Sequence, residues 1–358
     1  MKTVIVTGGA GFIGSAVVRH LVEETSLRVV NVDVLTYAAN LDSLGAARRS
    51  PRHVFERVDV CDRDELERVF REHRPAAVLH LAAQTHVDRS IEDPGVFVAT
   101  NVGGTLNVLE ASRRHWNRLD AEGRRRFRLL HVSTDEVYGD LGADKPAAAE
   151  GAPYAPSSPY AASKAAADHL VRAWSRTFDL PIVIAACCNN YGPCQYPEKL
   201  IPLVVLNAVE EKPLPLYGTG ENVRDWLYVE DHARALRMLL ECGEPGRTYH
   251  VAAHEERTNL DVVGAICTLL DEMAPRAAGR YAELIRFVAD RPGHDFRYGL
   301  DDSRLRDELG WRPRETFESG LRKTVRWYLD HPDWVQAVRT AEYRRWMAAQ
   351  YRDGEAQA

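Results

Sequence analysis

The stretch Thr3-Val4-Ile5-Val6-Thr7-Gly8-Gly9-Ala10-Gly11-Phe12-Ile13-Gly14 decides the fold. Its β-branched run, 3–7, reads as a short strand, and the apolar spacing after the glycines reads as a helix over 12–23. Glycines at 8, 11 and 14 let the backbone turn tightly between the two and approach a pyrophosphate lying on the helix N-terminus. The motif carries weight because it sits between a strand and a helix, as its mechanism demands. A second strand over 28–33 ends, about 20 residues further on, in Asp33, placed to bond adenosine ribose hydroxyls. A carboxylate there repels a 2′-phosphate, which favours NAD over NADP.

Outward from this unit, β-rich runs at 53–57, 77–81, 129–133 and 182–186 alternate with helical stretches at 62–72, 96–115 and 160–178. That alternation implies an α/β fold: a Rossmann-type doubly wound parallel sheet covered by helices on both faces. After Cys187 the rhythm breaks, with Pro193, Pro197, Pro202, Pro213 and Pro215 punctuating the chain, so a smaller, interleaved α/β substrate-binding domain begins there. A helix over 229–241 and a strand over 248–252 return to the first lobe. The expected division is 1–186, with 229–256 returning to it, for the cofactor, and 187–228 with 257–358 for the substrate.

The chain has 358 residues, 45% hydrophobic and 27% charged, which suits a soluble globular protein of two lobes. A net charge of −6 argues against a nucleic-acid partner, and the run Arg124-Arg125-Arg126 reads as a solvated surface turn. No stretch approaches the roughly 18 apolar residues of a membrane helix, and no signal peptide is read at the N-terminus, so a cytoplasmic protein without a membrane partner is expected. The six cysteines, Cys61, Cys187, Cys188, Cys194, Cys242 and Cys267, lack zinc-site spacing. They read as free, buried or half-buried thiols, and no metal is expected.

Tyr160 and Lys164 stand four apart at the start of a helix, on one face. The ammonium can lower the phenol's pKa and hold a nicotinamide ribose, making the tyrosine a usable base. The preceding strand ends in Ser133-Thr134-Asp135-Glu136-Val137-Tyr138-Gly139, and such strand ends point into the ligand crevice. Thr134 supplies the hydroxyl a dehydrogenase needs to polarise the reacting oxygen. Asp135 and Glu136 are surplus to that chemistry, and suit a reaction that also removes a carbon-bound proton and protonates a leaving hydroxyl. Asp59-Val60 after the third strand fits an adenine contact, and Leu81-Ala82-Ala83 after the fourth fits a backbone wall beside the cofactor. An epimerase would use only Tyr160, Lys164 and a hydroxyl. A non-catalytic NAD-binding protein would have no use for base, acid and lysine together.

With these motifs assembled, the sequence resembles the dTDP-glucose 4,6-dehydratases over almost its full length. The likeness is carried by Asp33-Val34-Leu35-Thr36-Tyr37-Ala38-Ala39-Asn40-Leu41, His86-Val87-Asp88-Arg89-Ser90-Ile91, the runs 134–139, 158–168, 189–202 and 224–235, and Arg291-Pro292-Gly293-His294-Asp295. The resemblance implies that Tyr160, assisted by Lys164 and Thr134, takes the proton of the sugar's 4-hydroxyl while hydride passes to NAD. It implies further that Glu136 removes the proton at carbon 5, that Asp135 protonates the departing 6-hydroxyl, and that hydride returns to carbon 6. Phe12, Ile13, Leu35, Thr36, Thr100 and Asn190 would also face the cofactor.

Arg224, Asn189 and Arg291 are the positions that similar enzymes use for the diphosphate, arginine by a bidentate grip. Thr85, His86, Lys199, Leu200, Pro215, Tyr217, Asn259, His294 and Tyr298 fall at further nucleotide-sugar positions. Related enzymes pair through two long helices, here 96–115 and 160–178, which implies a homodimer. Two departures stand out: Gln84 where these enzymes usually carry an acid, and Cys188 where serine is common before Asn189.

Overall fold

In the computed structural model of the chain, which describes residues 2–340, 343 and 345, β1 is Thr3–Thr7, β2 Arg28–Val32, β3 His53–Glu56, β4 Ala77–His80, β5 Arg128–Thr134 and β6 Ile182–Cys187. They are followed by β7 (Asn189–Tyr191), β8 (Leu214–Tyr217), β9 (Val223–Tyr228), β10 (Thr248–Val251), β11 (Glu256–Thr258) and β12 (Ile285–Val288). One sheet has the order β10-β6-β5-β4-β1-β2-β3, parallel throughout. Such a sheet buries both faces, which is why β1, β4 and β6 are entirely buried apolar-rich runs rather than alternating ones. The strands expected from sequence agree with these to within a residue at each end.

Helices Phe12–Glu24, Arg63–His73, Thr105–Asn117 and Pro159–Phe178 connect the strands. The expected helix over 96–115 is broken into Pro94–Phe97, a π-helical stretch Val98–Gly104, and Thr105–Asn117. Pro159 at the first helical position and the Ser158 hydroxyl accepting from Ala161 N (3.0 Å) set where the helix carrying Tyr160 begins. Arg124, Arg125 and Arg126 form the last turn of a short helix, Ala121–Arg126, rather than a turn between elements. Two of these arginines pair with Glu122, so helical charge pairing accounts for the difference.

The helix Val229–Cys242 and β10 do return to the large sheet: Ala233, Leu236, Leu239, Tyr249 and Val251 share one core with Val4, Val17, Leu21 and Leu130. A separate core gathers Tyr191, Ile201, Val204, Trp226, Val262, Ile266, Phe317 and Val325 around the small sheets β11-β9-β7 and β12-β8. Residues 341, 342, 344 and 346–358, which the sequence assigned to the second lobe, lie outside the described residues. The six cysteines are all free, and Cys61 and Cys242 are exposed rather than buried, being at a loop after β3 and at a helix end. Among the described residues no helix is long and apolar enough to cross a membrane.

Because Leu236 is completely buried in the shared core, Leu236→Ala is expected to cost about 2–5 kcal/mol in a urea titration monitored by tryptophan fluorescence. A loss below about 0.5 kcal/mol, as at a surface position, would show that the returning helix is not part of that core.

Candidate active site

The parallel sheet delivers the C-terminal ends of β1, β2, β4, β5 and β6 to one edge, the place where open α/β sheets hold ligands. Gly8 follows β1 with a left-handed backbone (φ +71°), and a Cβ there would lie 2.7 Å from Ala82 N. At Gly14 a Cβ would lie 2.0 Å from Gly8 O. No side chain fits at either point, so two stretches of main chain meet bare. Gly11 caps the helix Phe12–Glu24 without a side-chain bond, leaving N–H groups of its first turn free to face an anion. Thr7 ties the two strand ends together: its hydroxyl accepts from Leu81 N (3.2 Å) and Ala82 N (3.3 Å).

Asp33 follows β2 and is nearly buried. Ala10 N donates to Oδ2 (2.9 Å) and Leu35 N to Oδ1 (2.8 Å), fixing the carboxylate beside the glycine turn. Burial pushes its carboxyl up from the ordinary range, and those two N–H groups oppose the rise. Leu35 itself does not face the cavity as expected; it takes a left-handed backbone (φ 62°) and serves through its N–H on Asp33.

A continuous cavity of about 440 Å³ runs from this turn to the end of β5. The remaining expected cofactor residues line it: Gly8, Gly11, Phe12, Ile13, Gly14, Asp33, Thr36, Asp59, Val60, Leu81, Ala82, Ala83, Thr100, Tyr160, Lys164 and Asn190. So do Thr85, Thr134, Asp135, Glu136, Asn189 and Lys199.

At the β5 end, Thr134 caps a 3₁₀ turn, Asp135–Tyr138, by accepting from Glu136 N (3.3 Å), and its hydroxyl donates to Asp135 Oδ1 (3.1 Å). Asp135 Oδ2 is buried with no hydrogen-bond partner among the described residues. Burial and the neighbouring Glu136 push the Asp135 carboxyl up to about 8 against the pull of Arg224. Burial also raises Glu136, which Arg291, Lys199 and Arg224 counter. The two acids are adjacent in the chain yet answer to different surroundings.

Tyr160 and Lys164 both reach the cavity from one helix. Burial, then Glu136, drives the Tyr160 phenol well above its ordinary value, and Thr134 is the hydrogen-bonding group that opposes the rise. Lys164 Nζ donates to Val132 O (2.8 Å), and burial lowers its pKa. The ammonium lies in the floor of the site against β5.

The walls of this cavity do not include His86, Leu200, Pro215, Tyr217, Arg224, Asn259, Arg291, His294 or Tyr298. His86 caps the helix Val87–Glu92, Leu200 packs on the second core, Pro215 pairs in β8 with Arg286, and Asn259 opens the helix Asn259–Met273. Tyr217, His294 and Arg291 cluster around Asp88: Tyr217 OH donates to Asp88 Oδ2 (3.4 Å), Arg291 Nη1 lies 3.8 Å from Asp88 Oδ1, and the Tyr217 and His294 rings are 6.2 Å apart. Arg224 is buried with both terminal nitrogens turned onto main-chain carbonyls of Val223, Asp295 and Phe296, its guanidinium 4.3 Å from the Tyr298 ring. That arrangement does not present the open fork expected for a diphosphate, although Arg224 and Arg291 both act on Glu136 through their charge.

Sequence reasoning missed Gln195, Tyr196 and Glu198 as cavity residues, and it named Ser133 and Cys187 without giving them a place there. Buried Glu198 accepts from Tyr37 OH (3.0 Å) and pairs with Arg89 (3.2 Å). Glu198 is more than 100 positions from each of these partners, beyond the reach of local periodicity.

The family model described as GDP-mannose 4,6 dehydratase matches residues 5–324. The chain is 58% identical over 347 residues to the dTDP-glucose 4,6-dehydratase of Neisseria meningitidis serogroup B, covering 96% of this chain and 98% of the relative. The dTDP-glucose 4,6-dehydratase structure from Streptomyces venezuelae, solved with NAD bound, superposes with a TM-score of 0.84 at 42% identity, covering 93% and 98% of the two chains. That from Bacillus anthracis, in complex with NAD, gives 0.83 at 39% identity over 94% and 100%. A motif-bearing cavity of this construction and similarity over the whole chain lead to one assignment: the chain belongs to the dTDP-glucose 4,6-dehydratase family.

Proposed function

We propose that the enzyme is an NAD-dependent hydro-lyase converting dTDP-glucose into dTDP-4-keto-6-deoxyglucose and water, as the names of its relatives indicate. The observation that carries the reading is the placing of Asp135 and Glu136 in one cavity with Thr134, Tyr160 and Lys164. The bare main chain at Gly8 and Gly14, the uncapped helix start and the held Asp33 carboxylate fit a dinucleotide: pyrophosphate at the turn, ribose hydroxyls on Asp33. Held by the glycine turn and Asp33, NAD would supply the redox chemistry, as acceptor of hydride from carbon 4 and donor of it to carbon 6. Being regenerated in each turnover, it need not leave.

Tyr160 takes the proton of the 4-hydroxyl, with Thr134 steadying the oxygen and Lys164 supplying positive charge beneath. The new ketone acidifies carbon 5. Glu136, whose carboxyl burial raises against the pull of Arg291, Lys199 and Arg224, removes that proton. Asp135, pushed up to about 8, is largely protonated at neutral pH and gives its proton to the departing 6-hydroxyl. We assign the nucleotide-sugar site to Thr85, Asn189 and Lys199 in the cavity and to His86, Leu200, Pro215, Tyr217, Arg224, Asn259, Arg291, His294 and Tyr298 beyond it. The large sheet unit, 1–186 with 229–256, serves the cofactor, and 187–228 with 257–358 serves the sugar nucleotide.

A homodimer belongs to this reading: Val98, Leu106 and Phe178 are exposed apolar side chains on the helical stretches 94–117 and 159–178. So does the cytoplasm, whose reducing conditions suit six free cysteines.

Incubation with dTDP-glucose followed by NMR is expected to show the 4-keto-6-deoxy product; dTDP-galactose or no conversion would overturn the assignment. Dinucleotide released on denaturing the purified protein should be NAD, and a preference for NADP would contradict the role of Asp33. Asp135 must be protonated to act, so kcat/KM should decline as pH rises through about 8, where the raised carboxyl ionises. A profile flat to pH 9.5 would remove Asp135 as the acid. Glu136→Gln should still oxidise carbon 4, so NADH absorbance accumulates while product formation drops about 10²- to 10⁴-fold; wild-type turnover would exclude Glu136 as the base.

A further inference from the structure

Lys164 places an ammonium in the dry floor of the site, where an uncompensated charge is costly. One helical turn further on, at i+4 and therefore on the same face, stands Asp168, with no exposed surface. Its carboxylate accepts from Ser133 Oγ (2.7 Å), Tyr154 OH (2.8 Å) and His131 Nε2 (3.1 Å). Three donors from β5 and from the loop before Tyr160 thus converge on one buried anion. Burial raises its carboxyl, yet His131, Lys164 and Ser133 outweigh burial and leave it below the ordinary range.

The other titratable groups around Lys164 are Tyr160 on its own helix, His80 on β4, His131 on β5, Asp135 and Glu136 beyond β5, and Cys187 on β6. His80 lies between two hydroxyls, Thr7 Oγ1 at 2.7 Å from Nδ1 and Thr105 Oγ1 at 3.0 Å from Nε2. The Thr105 hydroxyl already donates to Asn101 O (2.6 Å), so it accepts from Nε2–H, and Nδ1 accepts from Thr7: His80 is neutral. His131 gives its Nε2–H to Asp168, and its buried Nδ1 has no partner among the described residues, which a neutral ring tolerates far better than an imidazolium. Burial holds the Cys187 thiol up to about 12, Asp135 up to about 8, and the Tyr160 phenol well above its ordinary value. Burial raises the Glu136 carboxyl, and the charges of Arg291, Lys199 and Arg224 counter that rise.

We propose that Asp168 is a positioning residue of the reaction: its carboxylate, gripped by Ser133, Tyr154 and His131, is the counter-charge that keeps Lys164 an ammonium. The inference rests on the proposed role of Lys164 for its effect on rate, but not for the charge pairing itself. The mechanism uses Lys164 only while protonated. Without Asp168 the ammonium would face mostly neutral groups and would lose its proton at lower pH.

A double-mutant cycle in melting temperature tests the pairing without reference to activity. Asp168→Asn and Lys164→Met should each lower the melting temperature, and adding Asp168→Asn to Lys164→Met should raise it again, since both charges are then gone. Additive losses would overturn the proposal. If Asp168→Asn alone fails to fold, the double variant should still fold; failure of both would count equally against it.

The effect on the reaction is read in an Asp135→Asn background, where Asp135 no longer titrates and carbon 4 oxidation is followed as NADH absorbance. Adding Asp168→Asn should move the alkaline limb of that rate to lower pH by about one unit or more. Tyr154→Phe, which removes a donor and keeps the charge, should leave the limb in place. A slower rate with an unmoved limb, or equal shifts in both variants, would make Asp168 a structural strut and refute the proposal. Absence of NADH in the Asp135→Asn background itself would instead contradict the proposed function, with the stability cycle still deciding the charge pairing.

Discussion

The approach of Gly8 to the main chain of Ala82 is the constraint from which the site follows. The turn after β1 and the end of β4 come so close that a single Cβ at Gly8 would sit 2.7 Å from a backbone nitrogen. Thr7 secures that approach with hydrogen bonds to Leu81 and Ala82. Close packing at this point brings the uncapped helix N-terminus, Asp33 and the wall 81–83 around one space. The same parallel register carries β5 alongside β4, so Thr134, Asp135 and Glu136 emerge at the far end of that space. Cofactor geometry and acid–base geometry are therefore not independent: both are set by which strands are neighbours.

Dryness does most of the electrostatic tuning. Burial leads the shifts of Asp33, Asp135, Glu136, Tyr160 and Lys164 alike. What separates their behaviour is the company each keeps. Asp135 has the negative Glu136 beside it and an oxygen with no partner among the described residues, so it stays protonated. Glu136 is also raised by burial, but Arg291, Lys199 and Arg224 counter the rise. Asp168 has three donors and Lys164, and becomes the anion of the floor.

The second lobe contributes charge to this arrangement from a distance. Arg291 and Arg224 come from segments beyond β6, yet both bear on Glu136. Their side chains are held in the protein's own contacts, with Asp88 and with backbone carbonyls. Val229–Cys242, which follows the β9 strand carrying Arg224, and β10 pack on the large sheet that carries the acids.

Much of this could be read from the chain alone. The strand–glycine–helix unit, the alternation to β6, the return of 229–251, and the grouping of Thr134, Asp135, Glu136, Tyr160 and Lys164 depend on local spacing, and local spacing is written in sequence. Period-2 and period-3.6 patterns report which face a residue occupies, and strand ends in a parallel sheet share one edge. Contacts across many tens of residues carry no such pattern. The Glu198–Arg89–Tyr37 cluster, the inward turn of Arg224 and the Asp168 anchor were settled only by folding. The relation of Tyr160 to Lys164 belongs to the same class. Their spacing put them on one face, but the depth to which that face is buried against β5 decides where the ammonium points and how far each pKa moves, because desolvation is a property of everything packed around a group.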